Sequence, residues 1–329
     1  LINANAGKET TMGTNTKWYR LRWRVVILAA VMVVLSCGYV AWRFYNAVRV
    51  RPMGDGPAGP PIASEPFEHK WHDGPVVLIG LGDSITRGLG AAKEHTYFEL
   101  LLKNDDAVYP DMAGRELSRV FDVREVRNYA QDYTTSLDHI DRQLAKIPTY
   151  EPSVRGIIVL TSGGNDLIHD YGRSAPRDGA MYGCTYKQAT VWCENLKERL
   201  ETLLLGLMEK FPGGCDIFLA NIYDPTDGVG DPQTVGLPRW RDCVKVLALA
   251  NCKISELCKT YPNVHLVDIH SEFLGHGIHC DELWRRHYRK DDPHFWFYYN
   301  LEDPNRRGFD AIRRLYLQSM IRVFWEQQR

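Results

Sequence analysis

The chain has 329 residues, of which 44% are hydrophobic, 25% charged and 11% aromatic. This is ordinary globular usage and excludes a disordered chain, a collagen or a coiled-coil rod. The formal net charge of −1 hides an asymmetry: Lys8, Lys17, Arg20, Arg22, Arg24, Arg43, Arg49 and Arg51 precede residue 52 against Glu9 alone, so the remainder carries 32 basic and 40 acidic residues. A body with that acidic excess does not suit nucleic acid as a partner, because duplex affinity rests on Lys and Arg neutralising phosphates.

The basic N-terminus instead flanks an apolar run. Between Arg24 and Arg43 lie the 18 uncharged residues VVILAAVMVVLSCGYVAW, about 27 Å of helix against a hydrocarbon core of roughly 30 Å. Tyr19 and Trp23 before the run, and Tyr39, Trp42, Phe44 and Tyr45 at its far end, suit interfacial belts, and the heavier basic flank precedes it. The expectation is a single-pass membrane protein: residues 1–24 cytoplasmic, 25–42 the span, and the catalytic domain periplasmic or extracellular. A cleaved signal, with a loose lipoprotein box at Val34-Leu35-Ser36-Cys37, is the alternative. Residues 43–70 become rich in Pro and Gly and read as a stiff, extended tether.

From residue 71 to 329 the pattern is alternation. Short β-rich runs occur at Val76–Leu81, Val123–Asn128, Gly156–Thr161, Asp216–Asn221 and Val264–Asp268. Helical periods fall at Ala113–Phe121, Leu137–Ile147, Tyr186–Phe211, Trp240–Tyr261 and Arg307–Gln328. Five apolar strands separated by helices predict an α/β fold with one doubly wound, five-stranded parallel sheet, whose active site forms at the carboxyl ends of the strands.

Three strand-end segments carry chemistry. Gly82-Asp83-Ser84-Ile85-Thr86-Arg87-Gly88 sets a hydroxyl on a tight turn after the first strand, where a Ser can be lifted clear for nucleophilic attack. Gly163-Gly164-Asn165-Asp166 offers an Asn amide to a developing oxyanion. Asp291-Asp292-Pro293-His294 puts a carboxylate three residues before an imidazole, as a base and its orienting partner require. Each segment alone also reads as an ordinary turn or cap.

Together, in that chain order, they resemble the SGNH, or GDSL, hydrolase superfamily over about residues 75–325. The resemblance implies a flavodoxin-like three-layer sandwich that hydrolyses esters without a metal or other cofactor. It makes Ser84 the nucleophile, His294 the general base and acid, and Asp291 its orienting residue, with Asn165 and the backbone of Ser84 as oxyanion donors. Two segments depart from the family's pattern. The second block, Asn128-Tyr129-Ala130-Gln131-Asp132-Tyr133-Thr134-Thr135, lacks the Gly whose N–H normally joins the hole, which leaves Asp132 or Tyr133 for that place. After His294, an aromatic stretch, Phe295 to Tyr299, intervenes before the Pro304-Asn305 and Gly308 that the family sets close behind its base. If extended, this stretch sends Trp296 and Tyr298 to one face as candidate substrate-lining residues.

Other clusters read as structural. His276-Gly277-Ile278-His279-Cys280-Asp281 has no defined fourth zinc ligand, and the Asp224–Pro232 loop lacks a terminal Glu for calcium. In an exported domain some of the seven cysteines after Cys37 are expected to pair, with Cys184 and Cys193 clasping a loop. The function expected is a membrane-anchored serine esterase for carboxylic esters, with a short acyl group on a saccharide as the favoured substrate. The alternatives are a lipase or lysophospholipase-like enzyme, an O-acyltransferase, and a non-catalytic carbohydrate or lipid binding module.

Overall fold

The computed structural model describes residues 13–49, 51–92 and 94–326, in two compact units that meet in sequence at Arg51 and Pro52. The first unit is helix α1, Gly13–Arg49, whose segment Trp18–Trp42 is exposed along its length and is long and apolar enough to cross a membrane. At 1.5 Å per residue those 25 residues span about 37 Å.

The second unit alternates strands and helices: β1 Pro75–Gly82, α2 Ser84–Arg87, α3 Tyr97–Leu102, α4 Leu117–Val120, β2 Asp122–Asn128, α5 Ser136–Asp138, β3 Arg155–Thr161, α6 Gly164–Ile168, α7 Tyr186–Glu209, β4 Cys215–Ala220, α8 Cys243–Thr260, β5 Val264–Val267, α9 Ile269–Phe273 and α10 Arg306–Phe324. All pairings are parallel, in the order β2-β1-β3-β4-β5 of a flavodoxin-like sheet. Each of the five expected strands is present to within a residue at either end. Helices cover both faces, so β1 buries alternate residues into two cores. Val76 and Leu78 enter the one closed by α3, α4 and α10, while Val77, Ile79 and Leu81 enter the one closed by α7 and α8.

The helices differ more. The expected helix at 113–121 shrinks to α4, and that at 137–147 becomes α5 followed by wider and tighter turns to Lys146. Here His139 and Gln143 are buried among polar groups, which an apolar-face reading does not anticipate. The last helix ends at Phe324, and Gln328 lies outside the described residues.

From Pro52 onward the segment expected to be a tether is instead a strap packed on the body. The N–H of Phe295 donates to the carbonyl of Pro52. Arg307 donates to the carbonyls of Asp55 and Gly56, and Ala58 N–H to the carboxylate of Asp310. Ala58, Ile62 and Phe67 are buried. Its partners lie some 250 residues away, so local composition carries no sign of them. None of the eight cysteines forms a disulfide, and the Cys184–Cys193 clasp is absent. Both side chains are buried in the core under α7 and α8, where burial pushes the thiols up to about 11 and about 12 respectively.

Candidate active site

The carboxyl end of β1 is built around Gly82. Its φ is +126°, and a Cβ there would stand 2.0 Å from the carbonyl oxygen of Thr161. Asp83 caps α2: its Oδ1 accepts from the N–H of Ile85 at 3.1 Å and from the hydroxyl of Thr161 at 2.7 Å. Burial nonetheless raises its pKa to about 7, against the pull of those hydrogen bonds. Ser84 follows as the first residue of α2, where its N–H lies among the helix donors that no intrahelical carbonyl reaches.

Two further segments converge on Ser84. Asn165, in the first turn of α6, donates one N–H to the carbonyl of Thr134 at 2.8 Å, leaving the other amide hydrogen for a ligand. In the loop after β2, Asn128 bonds the carbonyl of Thr86 and the N–H of Ala130, and Gln131 N–H donates to Gly82. Tyr133 then takes a φ of +62°, the left-handed region that favours glycine. Of the two residues open for the second-block place, the backbone geometry of Tyr133 is the one that matches a glycine. Thr134 is fixed from behind by His139, whose Nε2 pairs with Thr134 Oγ1 at 3.0 Å and whose Nδ1 pairs with Ser162 Oγ at 2.8 Å. Burial lowers the His139 pKa to about 4, so this imidazole is neutral at pH 7.

His294 makes its contacts with other residues. Its Nδ1 bonds Oδ1 of Asp292 at 2.5 Å, so the neighbour two residues back, not Asp291, holds the ring. Oδ2 of Asp292 is in turn held by Arg307 at 2.5 Å. The strap residue Gly54 lies against the imidazole, where a Cβ would come within 2.5 Å of the ring, and the His294 carbonyl bonds His276 Nδ1. Pro293 restricts the chain between Asp291 and His294, and the shorter two-residue reach to Asp292 closes onto Nδ1.

The aromatic stretch turns back on itself. Phe297 and Pro304 bridge as antiparallel partners, and Tyr298 N–H donates to the carbonyl of Asp303 at 2.7 Å. Phe295, Trp296 and Phe297 are therefore all buried, with Trp296 stacked on His276 at 3.4 Å. Trp296 is closed off from substrate, because the turn seals it between α9 and the start of α10. Tyr298 packs over Gly90, outside the cavity described below.

The turn delivers Asp303. Oδ1 of Asn300 accepts the N–H groups of Glu302 and Asp303, and its Nδ2 donates to Oδ2 of Asp303 at 2.6 Å. Oδ1 of Asp303 is buried and lacks a partner in full hydrogen-bond geometry among the described residues. The Ser84 hydroxyl interacts with this carboxyl in a looser contact. Burial raises the Asp303 pKa, the Ser84 and Asn300 contacts oppose that rise, and the charge of Asp132 adds to it. Burial and the Asp303 charge raise neighbouring Glu302 to about 7.

Ser84, Asn165 and Glu302 are among the residues lining a cavity of about 130 Å³. Its walls are apolar: Leu167, Ile222, Tyr223, Leu237, Trp240 and Leu247. The histidines of the 276–281 loop are engaged, His276 on Trp296 and His279 with Asp231 and Glu282. No cluster of three potential metal ligands occurs among the described residues. Sequence reasoning did not single out Asp303, Asn300, His139 or Gln143. The one available signal was the Pro304-Asn305 pair that directly follows Asp303.

A family model described as the GDSL-like lipase/acylhydrolase family matches residues 81–296. Among solved structures, the chain is similar to a lipolytic protein of the G-D-S-L family from Veillonella parvula (15% identity, 75% of this chain and 99% of that one, TM-score 0.45). It is also similar to an extracellular lipase from Streptomyces rimosus (15%, 74% and 99%, 0.47). A third is an acetyl-xylooligosaccharide esterase from Geobacillus (16%, 75% and 94%, 0.46). A search of curated proteins found no match.

Proposed function

Because the chain belongs to the GDSL-like lipase/acylhydrolase family and is thereby an ester hydrolase, we propose that Ser84 is its nucleophile and that the preferred substrate is a carboxylic ester with a medium-length acyl chain. The observation that carries this reading is the largely apolar cavity that Ser84 and Asn165 line. A cavity near 150 Å³ with apolar walls takes a group of about six carbons, and each methylene buried there gains about 0.8 kcal/mol. An acetyl group would leave most of the space unfilled. Trp296, expected to line the substrate, is buried.

In this reading Ser84 Oγ attacks the ester carbonyl with the acyl chain in the cavity. Negative charge develops on the carbonyl oxygen toward the N–H of Ser84, the N–H of Tyr133 in its left-handed conformation, and the second N–H of Asn165. Such preorganised donors are each worth about 3–4 kcal/mol of barrier. Helix α1 supports a single-pass anchor with the catalytic unit outside the cytoplasm, since Lys17, Arg20, Arg22 and Arg24 lie on its N-terminal side.

The test uses the full chain in detergent with aryl esters from acetyl to dodecanoyl. kcat/KM should rise from acetyl to about hexanoyl, a fluorophosphonate should label Ser84, and Ser84→Ala should lose about three orders of magnitude or more. An acetyl optimum would return the saccharide acetylesterase reading. Full activity in Ser84→Ala would remove the assignment of the nucleophile.

A further inference from the structure

We propose that the base serving Ser84 is Asp303, oriented by Asn300, and that His294 is a structural fastener outside the reaction. The inference rests on the reading of Ser84 as nucleophile. Three observations carry it. The Ser84 hydroxyl lies beside the Asp303 carboxyl, short of full hydrogen-bond geometry, and pulls its pKa down. Oδ1 of that carboxyl is buried with no partner in full hydrogen-bond geometry among the described residues, as expected of an acceptor waiting for a proton. Oδ2, its other oxygen, is fixed by Asn300 Nδ2 at 2.6 Å, and Asn300 is itself locked by two backbone N–H groups. Nucleophile, base and orienting amide thus form the chain of contacts that acyl transfer needs.

The contacts of His294 serve another purpose. With Asp292 and Arg307 it forms a linked set whose Arg307 donates to the strap carbonyls of Asp55 and Gly56, while Gly54 lies on the ring. The set fastens the strap to the start of α10.

An ordinary carboxylate is a weak base for a serine hydroxyl, and the surroundings of Asp303 correct this. It is buried, and the titratable groups facing it are acidic: Asp83 from the β1–α2 turn, Asp132 from the loop after β2, Glu302 beside it in the chain and Tyr223 after β4. Burial and the charge of Asp132 favour the protonated carboxyl and so strengthen the carboxylate as a base.

The steps balance without a further reactant. As the Oγ–C bond forms, the Ser84 proton passes to Asp303 Oδ1. Collapse of the tetrahedral intermediate breaks the ester C–O bond, and Asp303 returns the proton to the leaving alkoxide. Water then gives a proton to Asp303 as it attacks the acyl-enzyme, and that proton returns to Ser84 Oγ when the acid departs.

The experiment compares Asp303→Asn, Asn300→Ala, His294→Gln and Ser84→Ala in the full chain on a hexanoyl ester, with thermal melts as a folding control. Asp303→Asn should lower kcat by about 10²–10⁴-fold with KM within a few-fold. His294→Gln should cost less than tenfold. Asn300→Ala should lower kcat and move the acid limb of the kcat/KM profile to higher pH, because the carboxylate loses a donor. A loss of 10³-fold in His294→Gln overturns the proposal, and that result stands even if Asp303→Asn fails to fold. An acid limb unmoved in Asn300→Ala also counts against it. Retained activity in folded Asp303→Asn with Ser84→Ala inactive overturns the base alone, whereas an active Ser84→Ala overturns the underlying reading of the site.

Discussion

Gln143 holds both backbone groups of Gly82: its Oε1 accepts from the glycine N–H at 2.9 Å, and its Nε2 donates to the glycine carbonyl at 2.8 Å. All these groups are buried, and Gly82 stands two residues before Ser84, so this amide sets the backbone from which the proposed nucleophile projects. The carbonyl has further donors in Thr134 Oγ1 and Gln131 N–H, each at 3.1 Å, whereas the N–H has Gln143.

Gln143→Met should therefore orphan one buried N–H and cost about 1–3 kcal/mol. Urea unfolding reads that loss as a lower midpoint. Activity measured well below the transition should fall further than the unfolded fraction explains, because the turn carrying Ser84 loosens. A variant with a lower midpoint and unchanged kcat would show that the clamp serves stability alone.

The strap separates two truncations that its composition makes look equivalent. Removing residues 1–50 leaves the unit from Pro52 onward intact and should yield a folded, active protein. Removing residues 1–70 strips Ala58, Ile62 and Phe67 from their buried sites and breaks the Ala58–Asp310 and Arg307–strap hydrogen bonds. The two large side chains alone are worth about 3–6 kcal/mol. A melting temperature equal in both truncations would show that the strap contributes nothing.

The sheet was legible because apolar runs in a sheet covered on both faces leave a mark in each strand. Val76 to Leu81 needs no partner to be read. Ser84 and Asn165 were legible for the same local reason, since each follows its strand directly. Asp303 was not, because its place depends on Phe297 pairing with Pro304 and on Asn300 closing the turn. The stretch that reads as an insertion after a base is the arm that brings another carboxylate to Ser84. DDPH drew attention as a carboxylate–imidazole pair, and it is one, between Asp292 and His294, but its other contacts run to Arg307 and the strap. Linear spacing cannot distinguish a dyad aimed at a nucleophile from one that fastens a loop.

The cavity wall predicts a specificity variant. Val244 lines the cavity and is 37% exposed, so a larger ring there need not overpack the core. Val244→Trp should shorten the acyl chain accepted. Excluding two methylenes removes about 1.6 kcal/mol, or about fifteenfold in kcat/KM, from an octanoyl ester. Acetyl ester turnover should stay within about twofold. An equal loss on both esters would place the acyl chain outside this cavity.

Asp83 makes stability depend on pH in a direction opposite to the usual carboxylate. Its folded pKa is about 7 against an ordinary 3.8, so between those values the folded protein holds a proton that the unfolded chain has released. The cost is absent below about pH 4, grows as pH rises and is complete above about pH 7, where it reaches the order of 4 kcal/mol. His139 and His276, both lowered to about 4 by burial, act the other way, since their neutral folded forms lose stability as pH falls from 6.5 toward 4. Wild-type stability alone thus mixes opposing contributions, and the comparison with Asp83→Asn isolates one of them. Asparagine keeps an oxygen for Ile85 N–H and Thr161 Oγ1 but has no proton to release. Urea unfolding of both proteins should give nearly equal stabilities at pH 4, with the variant ahead by several kcal/mol at pH 8. A difference that stays the same at both pH values would show that Asp83 is ionised throughout in the folded state.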